Sequence, residues 1–278
     1  MTDSNELPPR TSGQTKEPHL SFSQLRTYAN CSLLWWFQRH YKPEFVSSGL
    51  VFGTAFHFAI QTYYQGRLEA RQVDKDRMLR AFDRAFGGQT TEVRFGKNET
   101  PASLRELAGR MVDAFRANVR ESEVIAVEEP IRCELAAGLP PLIGYIDLIE
   151  VRTDDDGVKW LHLVDFKTAA KKPSEDDIDP DQLTLYAIAA FRFGLMKQFD
   201  LPLALRYEFI TKTKTPEVVS LPFTPYRHDA QRLIAKAKVC WHGMQQGVCF
   251  PNRSWMCGGC GYQRRCQMWP KMTESRQP

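Results

Sequence analysis

Two carboxylates stand inside apolar, strand-like runs: Asp147 in GYIDLIEV and Asp165 in HLVDFKT, with Lys167 two residues after the second. A carboxylate buried in a strand is costly unless a cation or hydrogen bonds compensate it. A divalent cation held by both would do so. It would also act as a Lewis acid and lower the pKa of a bound water for attack on a phosphodiester. Period-two alternation puts Asp165 and Lys167 on one strand face, so the ammonium would sit beside the metal and the attacking water. An isolated Asp-x-Lys is more often a surface pair. The upstream Asp147 is what shifts the reading toward chemistry.

A second signal lies near the end of the sequence, where Cys257, Cys260 and Cys266 form C-x2-C-x5-C. Three thiols leave a four-coordinate site one ligand short. Zinc accepts four thiolates, or three and an imidazole, and His242 is near in sequence; a second C-x2-C pair, the familiar zinc pattern, is absent. Cys133 falls in a strand-like run and Cys240 in a helical one, where a free cysteine acts as a small core hydrophobe. Cys249, eight residues before Cys257, competes for the fourth position.

These residues need elements to position them. SFSQLRTYANCSLLWWFQRHY opens on Ser21 with Gln24 three residues later, a capping-box pattern, and continues with helical periodicity. A second helix is expected over TAFHFAIQTYYQG, with Gly49 and Gly53 flanking its start and Gly66 its end, and two more at roughly 74–87 and 101–120. Then the pattern changes. VIAVEEPIRCEL, LIGYIDLIEVRT and VKWLHLVDFKT read as strands separated by turn signals. QLTLYAIAAFRFGL reads as a helix preceded by Pro180, LALRYEFITK and EVVSLPF as strands, and YRHDAQRLIAKAKVCWHGMQQG as a long helix. The order predicts an α/β (α+β) domain with a central mixed β-sheet flanked by helices.

Taken together, GYIDLI followed after a spacer by VDFKT resembles the PD-(D/E)XK nuclease superfamily. More narrowly, the sequence is similar to its RecB-like branch, which includes CRISPR-associated RecB-like nucleases and the nuclease domain of AddB. LVFGTAFHFAIQTYY matches that branch's histidine-bearing helix, DQLTLYAIA its Gln-x-x-x-Tyr helix, and the opening helix carries a lone cysteine at Cys31. The resemblance covers nearly all of residues 20–270. The proline of the family's name is missing, since Tyr145-Ile146 precedes Asp147.

The resemblance implies a restriction-endonuclease-like core at 20–270 with a helical insert at 67–121 and an iron–sulfur segment at 249–270. It implies that His57, Asp147, Asp165 and the backbone carbonyl of Phe166 bind Mg²⁺ or Mn²⁺, with Lys167 as base or stabiliser. Gln182 and Tyr186, one helical turn apart, would touch the phosphate or orient Lys167. Cys31 would join Cys257, Cys260 and Cys266 around a [4Fe–4S] cluster, closing a loop around almost the whole core, so that metal binding would contribute folding free energy. The implied activity is an exonuclease acting on DNA ends or single strands. A nuclease-like scaffold subunit and a zinc-stabilised binding module are the other classes in view.

Composition agrees with such a protein. The 278 residues are 42% apolar and 25% charged, and the net charge of +4 permits a nucleic-acid partner without demanding one. Arg264 and Arg265, beside the cysteines, are candidates for phosphate contact. Residues 1–19 read as a polar, disordered lead without an apolar signal-peptide core, and 271–278 as a disordered tail. No run approaches a membrane span, so a cytoplasmic location is expected. Seven cysteines in that reducing compartment point to metal rather than disulfides. No G-x-x-x-x-G-K-[ST] occurs, so unwinding would fall to a helicase partner, or the substrate would arrive open.

Overall fold

A computed structural model describes residues 17–274. Most of the expected lead, 1–16, and the last four residues of the expected tail lie outside the described residues.

The chain opens with α1 (Phe22–Asn30) and α2 (Ser32–His40). The sequence had read these as one helix. Cys31 separates them with φ −160° and ψ 100°, an extended residue that ends one helix and begins the next. Ser21 caps α1 as expected, accepting the Gln24 N–H. After the short β1 (Val46–Ser47) comes α3 (Ser48–Leu68), which starts before Gly53 because the Ser47 hydroxyl caps it. α4 (Lys75–Gly87), β2 (Val93–Arg94) and α5 (Pro101–Asn118) follow, α5 with Pro101 in its first turn and a Thr100–Ser103 capping box.

The sheet is built from β3 (Glu123–Cys133), β4 (Leu142–Thr153), β5 (Lys159–Ala169), β6 (Leu203–Thr211) and β7 (Val218–Phe223), in that spatial order. β5 and β6 run parallel and the other neighbours antiparallel, so the sheet is mixed as expected. A parallel pair needs a crossover, which α6 (Pro180–Phe193) supplies together with α7 (Leu195–Phe199). α6 ends at Gly194, whose φ of 70° favours a residue without Cβ. α8 (Arg227–Gln245) and α9 (Gln263–Glu274) complete the fold, α9 continuing past Lys271 where the sequence placed the tail.

Each sheet face has its own core. Leu25 of α1, Leu183, Tyr186 and Ala189 of α6, and Leu233 and Ala237 of α8 pack against Ile146, Leu161, Leu163 and Tyr207. On the other face Phe52, Phe56 and Ile60 of α3, Met78 and Phe82 of α4, and Met111 and Phe115 of α5 pack against Leu148, Val164, Phe166 and Ile210. Within residues 67–121, α4 and α5 thus join α3 in the core over this sheet face, while β2 pairs with β1 outside the five-stranded sheet. A third, smaller cluster joins Leu33 and Phe37 of α2 to Tyr262, with Cys31, Cys249, Cys260 and Cys266 packed around it.

Candidate active site

β4 and β5 pair from Thr153–Lys159 up to Leu148–Val164 and no further. Asp147 is the first β4 residue beyond that last pair. Its Oδ2 accepts the Phe166 N–H at 2.8 Å, bridging the diverging strands by a side chain where the ladder has ended. Core packing changes parity at the same place: Ile146 faces the α6 side and Leu148 the α3 side. On the neighbouring strand Glu128 lies between Val127 and Glu129, the partners of Leu148 and Ile146, and so opposes Asp147. Glu128 has φ 54°, a left-handed conformation costing about 1–3 kcal/mol in a non-glycine residue, of the kind found at functional sites.

His57, half-buried on α3, meets both carboxylates. Its Nε2 is 2.8 Å from Asp147 Oδ2 and its Nδ1 3.5 Å from Glu128 Oε1. Burial alone would lower the imidazole pKa, but the hydrogen bond and charge of Asp147, with Glu128 and Asp165, hold it above its ordinary value. Burial raises the Glu128 carboxyl, opposed by His57 and reinforced by the two aspartates. Together His57, Glu128 and Asp147 offer ligand atoms that all lie within 4.8 Å of one another, a donor set that fits one divalent cation.

Asp165, 1% exposed, sits beside this set on the α6 face. Lys167 Nζ is 2.5 Å from its Oδ2, and the Tyr186 hydroxyl is 3.1 Å from its Oδ1 and 2.9 Å from the Tyr145 carbonyl. The Gln182 amide nitrogen donates to Asp165 while its oxygen accepts from Lys167 Nζ at 2.9 Å. One glutamine therefore orients both members of Asp-x-Lys, and the i,i+4 spacing on α6 brings Tyr186 to the same carboxylate. Burial pushes the Asp165 carboxyl up to about 6, against the pull of Lys167 and with the push of Asp147.

Sequence reasoning named seven residues here, and all seven converge: His57, Asp147, Asp165, Phe166, Lys167, Gln182 and Tyr186. Asp165 stands outside the compact donor set, and Phe166 enters through its N–H. Glu128 was missed. Its one signal was a pair of adjacent glutamates before Pro130 in an otherwise apolar strand, which does not say which of the two turns inward.

At the cysteine segment, burial raises the thiols of Cys260 and Cys266, and each also feels Cys31 and Cys257, so these four lie together. Among the described residues no three cysteine sulfurs fall within 4.8 Å of one another, and exposed His242 joins no such group. One tetrahedral zinc with Zn–S near 2.3 Å would need sulfurs roughly 3.8 Å apart. Cys249 packs on the same apolar cluster and, after burial and Cys240, raises the Tyr28 hydroxyl. Cys133 and Cys240 are buried, as expected of core thiols.

The segment is tied to α1 and α2 by protein contacts as well. Leu33 N–H donates to the Phe250 carbonyl at 3.1 Å, and the Tyr262 hydroxyl to the Tyr41 carbonyl at 3.0 Å. Glu44 N–H donates to the Gly261 carbonyl at 2.9 Å, and a Cβ on Gly261 would fall 2.1 Å from the Phe45 carbonyl oxygen. Only glycine permits that approach. Arg264 is exposed, 3.6 Å from Glu44, and Arg265 lies over the Tyr41 ring; neither lines the cleft beside His57.

A helix-flanked mixed sheet whose central strands diverge over carboxylates, a histidine and a lysine defines a nuclease-type α/β fold. The chain belongs to the PD-(D/E)XK nuclease superfamily, whose family profile matches residues 19–267. Its fold resembles the crystal structure of a "putative exonuclease" from Eubacterium rectale, with TM-score 0.51, 14% identity, and coverage of 90% of this chain and 87% of that one. The structure of SSO0001 aligns over 88% of this chain and 94% of its own, at 12% identity and TM-score 0.34, too distant to carry an argument. Comparison with curated proteins gave no match. Among the described residues no helix is long and apolar enough to cross a membrane.

Proposed function

We propose that this chain is a divalent-metal-dependent deoxyribonuclease, a RecB-like exonuclease acting on DNA ends or single strands. The observation that carries the reading is the buried Asp165, locked to Lys167 by Gln182, beside the His57–Glu128–Asp147 donor set. Residues with no chemical task are not expected to concentrate three carboxylates where burial raises two of them.

His57, Asp147 and Asp165 hold the metal in this reading, with Glu128 as a further carboxylate and the Phe166 carbonyl completing the shell. Mg²⁺ or Mn²⁺ bound there supplies Lewis-acid polarisation of the phosphate and an acidified water. A ring nitrogen of His57 would have to be free of its proton to ligate the cation, so the raised imidazole pKa would make metal binding weaken as pH falls. Lys167 presents its ammonium to the attacking water and to the charge developing on phosphate. Gln182 fixes Lys167 against Asp165, and Tyr186 anchors Asp165 to β4. Cys31, Cys257, Cys260 and Cys266 hold a [4Fe–4S] cluster with a structural role, joining the start of the chain to the segment after α8.

Linear and covalently closed single-stranded DNA of the same sequence, digested with Mg²⁺ or Mn²⁺, test the exonuclease mode. Degradation of the linear form alone is expected; circles cut at the same rate would overturn it.

A further inference from the structure

The cleft beside His57 extends well past the residues assigned to chemistry. Its volume is about 500 Å³, and it runs from Lys167 along the first turns of α3 to Arg26 on α1, Lys212 just after β6, and Trp255 at the start of the cysteine segment. That size admits a nucleotide or two. No carboxylate lines it, whereas Arg26, Lys167 and Lys212 do. Burial lowers the Lys212 ammonium and Glu99 opposes that, but Glu99 is itself engaged by the Ser48 hydroxyl and the Gly96 N–H.

Trp255 is 90% exposed, more than any other large apolar side chain among the described residues. An indole held in water contributes little to a core, and a single exposed aromatic is unremarkable elsewhere on a surface. Here it stands at the mouth of a cationic cleft, with Leu50, 64% exposed, on the wall formed by α3. The 3-10 turn Trp255–Gly259 leans on the cap of α3, where a Cβ on Gly259 would stand 3.9 Å from the Ser47 Cβ.

We propose that this cleft is a subsite for an unpaired DNA strand, in which Trp255 stacks on a base while Arg26 and Lys212 take flanking phosphates. The proposal rests on the nuclease reading for the identity of the polyanion. It adds the selection of single strand over duplex, because a base offers its face to an indole only when it has left the duplex stack. It also gives the cysteine segment a task at the substrate, that of holding the stacking platform at a fixed height over α3.

Binding is measured in EDTA, where no metal-dependent turnover interferes, by fluorescence anisotropy of a labelled fifteen-residue oligothymidylate and of a blunt hairpin duplex. Trp255→Ala should weaken binding of the single strand about 10- to 100-fold with much less effect on the hairpin. Trp255→Phe, which keeps a ring, should restore most of the loss and so exclude general misfolding. Lys212→Ala should reduce the slope of log affinity against log salt by about 0.7, the value for one phosphate on a single strand. Phe191→Ala, an exposed aromatic on α6 outside the cleft, should change nothing. Oligothymidylate binding that ignores Trp255→Ala, or an equal loss on the hairpin, overturns the proposal. Trp255-dependent binding by a protein that cuts nothing with Mg²⁺ or Mn²⁺ would uphold the subsite and sink the nuclease reading; cutting without Trp255-dependent binding would do the reverse.

Discussion

Arg206→Met should be among the most damaging single substitutions outside the site. Arg206 lies on β6, 5% exposed, with Nη2 2.5 Å from Glu150 on β4 and Nε 2.9 Å from Glu208. Glu150 is fully buried and keeps one other cation, Arg152, at 2.7 Å. Removing one partner of a buried pair costs about 3–5 kcal/mol because it strands the other charge, and the remaining Arg152 argues for the lower end, near 3 kcal/mol. Adding Glu150→Gln should recover at least about 1 kcal/mol, since the two residues share one interaction. A pH signature accompanies this. His162 Nδ1 is 2.7 Å from Arg206 Nη1, and burial followed by Arg206 and Arg152 pushes the imidazole down to about 4. Between pH 4 and 6.5 the folded protein therefore binds fewer protons there than the unfolded chain. Wild-type stability should fall as pH drops through that window, by up to about 3 kcal/mol from this group. Arg206→Met should make that fall shallower. Urea unfolding at pH 7.5 and pH 5 reads both quantities. A loss under about 1 kcal/mol at pH 7.5, or an undiminished pH dependence in the variant, would refute the reasoning.

Three further outcomes follow from the site and the cysteine segment. Gly261→Ala should lower the melting temperature and expose the segment to limited proteolysis, because its Cβ would collide with the Phe45 carbonyl, with overpacking of this kind costing about 1–3 kcal/mol. Cys31→Ala should lose the visible absorbance of anaerobically purified protein together with soluble yield, while Cys249→Ala should keep both; a coloured, stable Cys31→Ala would remove Cys31 from the ligand set. Glu128→Gln should weaken Mn²⁺ binding in a calorimetric titration by about tenfold or more, and unchanged affinity would confine Glu128 to a structural part.

Much of the fold was legible because its strands and helices differ in period. β4 and β5 are β-rich runs bounded by turn signals, so their limits could be read almost to the residue, and Pro180 marked the start of α6. Asp147, Asp165 and Lys167 were legible from carboxylates set in apolar strands and from period-two alternation, whereas Gln182 and Tyr186 came from the resemblance to the superfamily. What stayed hidden depends on tertiary geometry. The break at Cys31 arises from an extended residue inside an otherwise helical pattern, with Leu33 and Ser32 hydrogen-bonded instead to the distant Phe250. Glu128 needs a left-handed backbone that glutamate does not advertise. The ion pairs of Glu150 with Arg206 lie across three strands, 56 residues apart in sequence, and no local pattern joins them. The cleft from Arg26 to Trp255 is likewise assembled from five separate segments.

The central claim is that the carboxylate–lysine cluster hydrolyses DNA with a bound divalent cation, and its most direct test is digestion of end-labelled single- and double-stranded DNA by wild type and Asp165→Ala. The account predicts cleavage by wild type with Mg²⁺ or Mn²⁺, none in EDTA, and none by Asp165→Ala that retains the wild-type circular dichroism spectrum. Cleavage that persists in EDTA, or that survives Asp165→Ala undiminished, would contradict it.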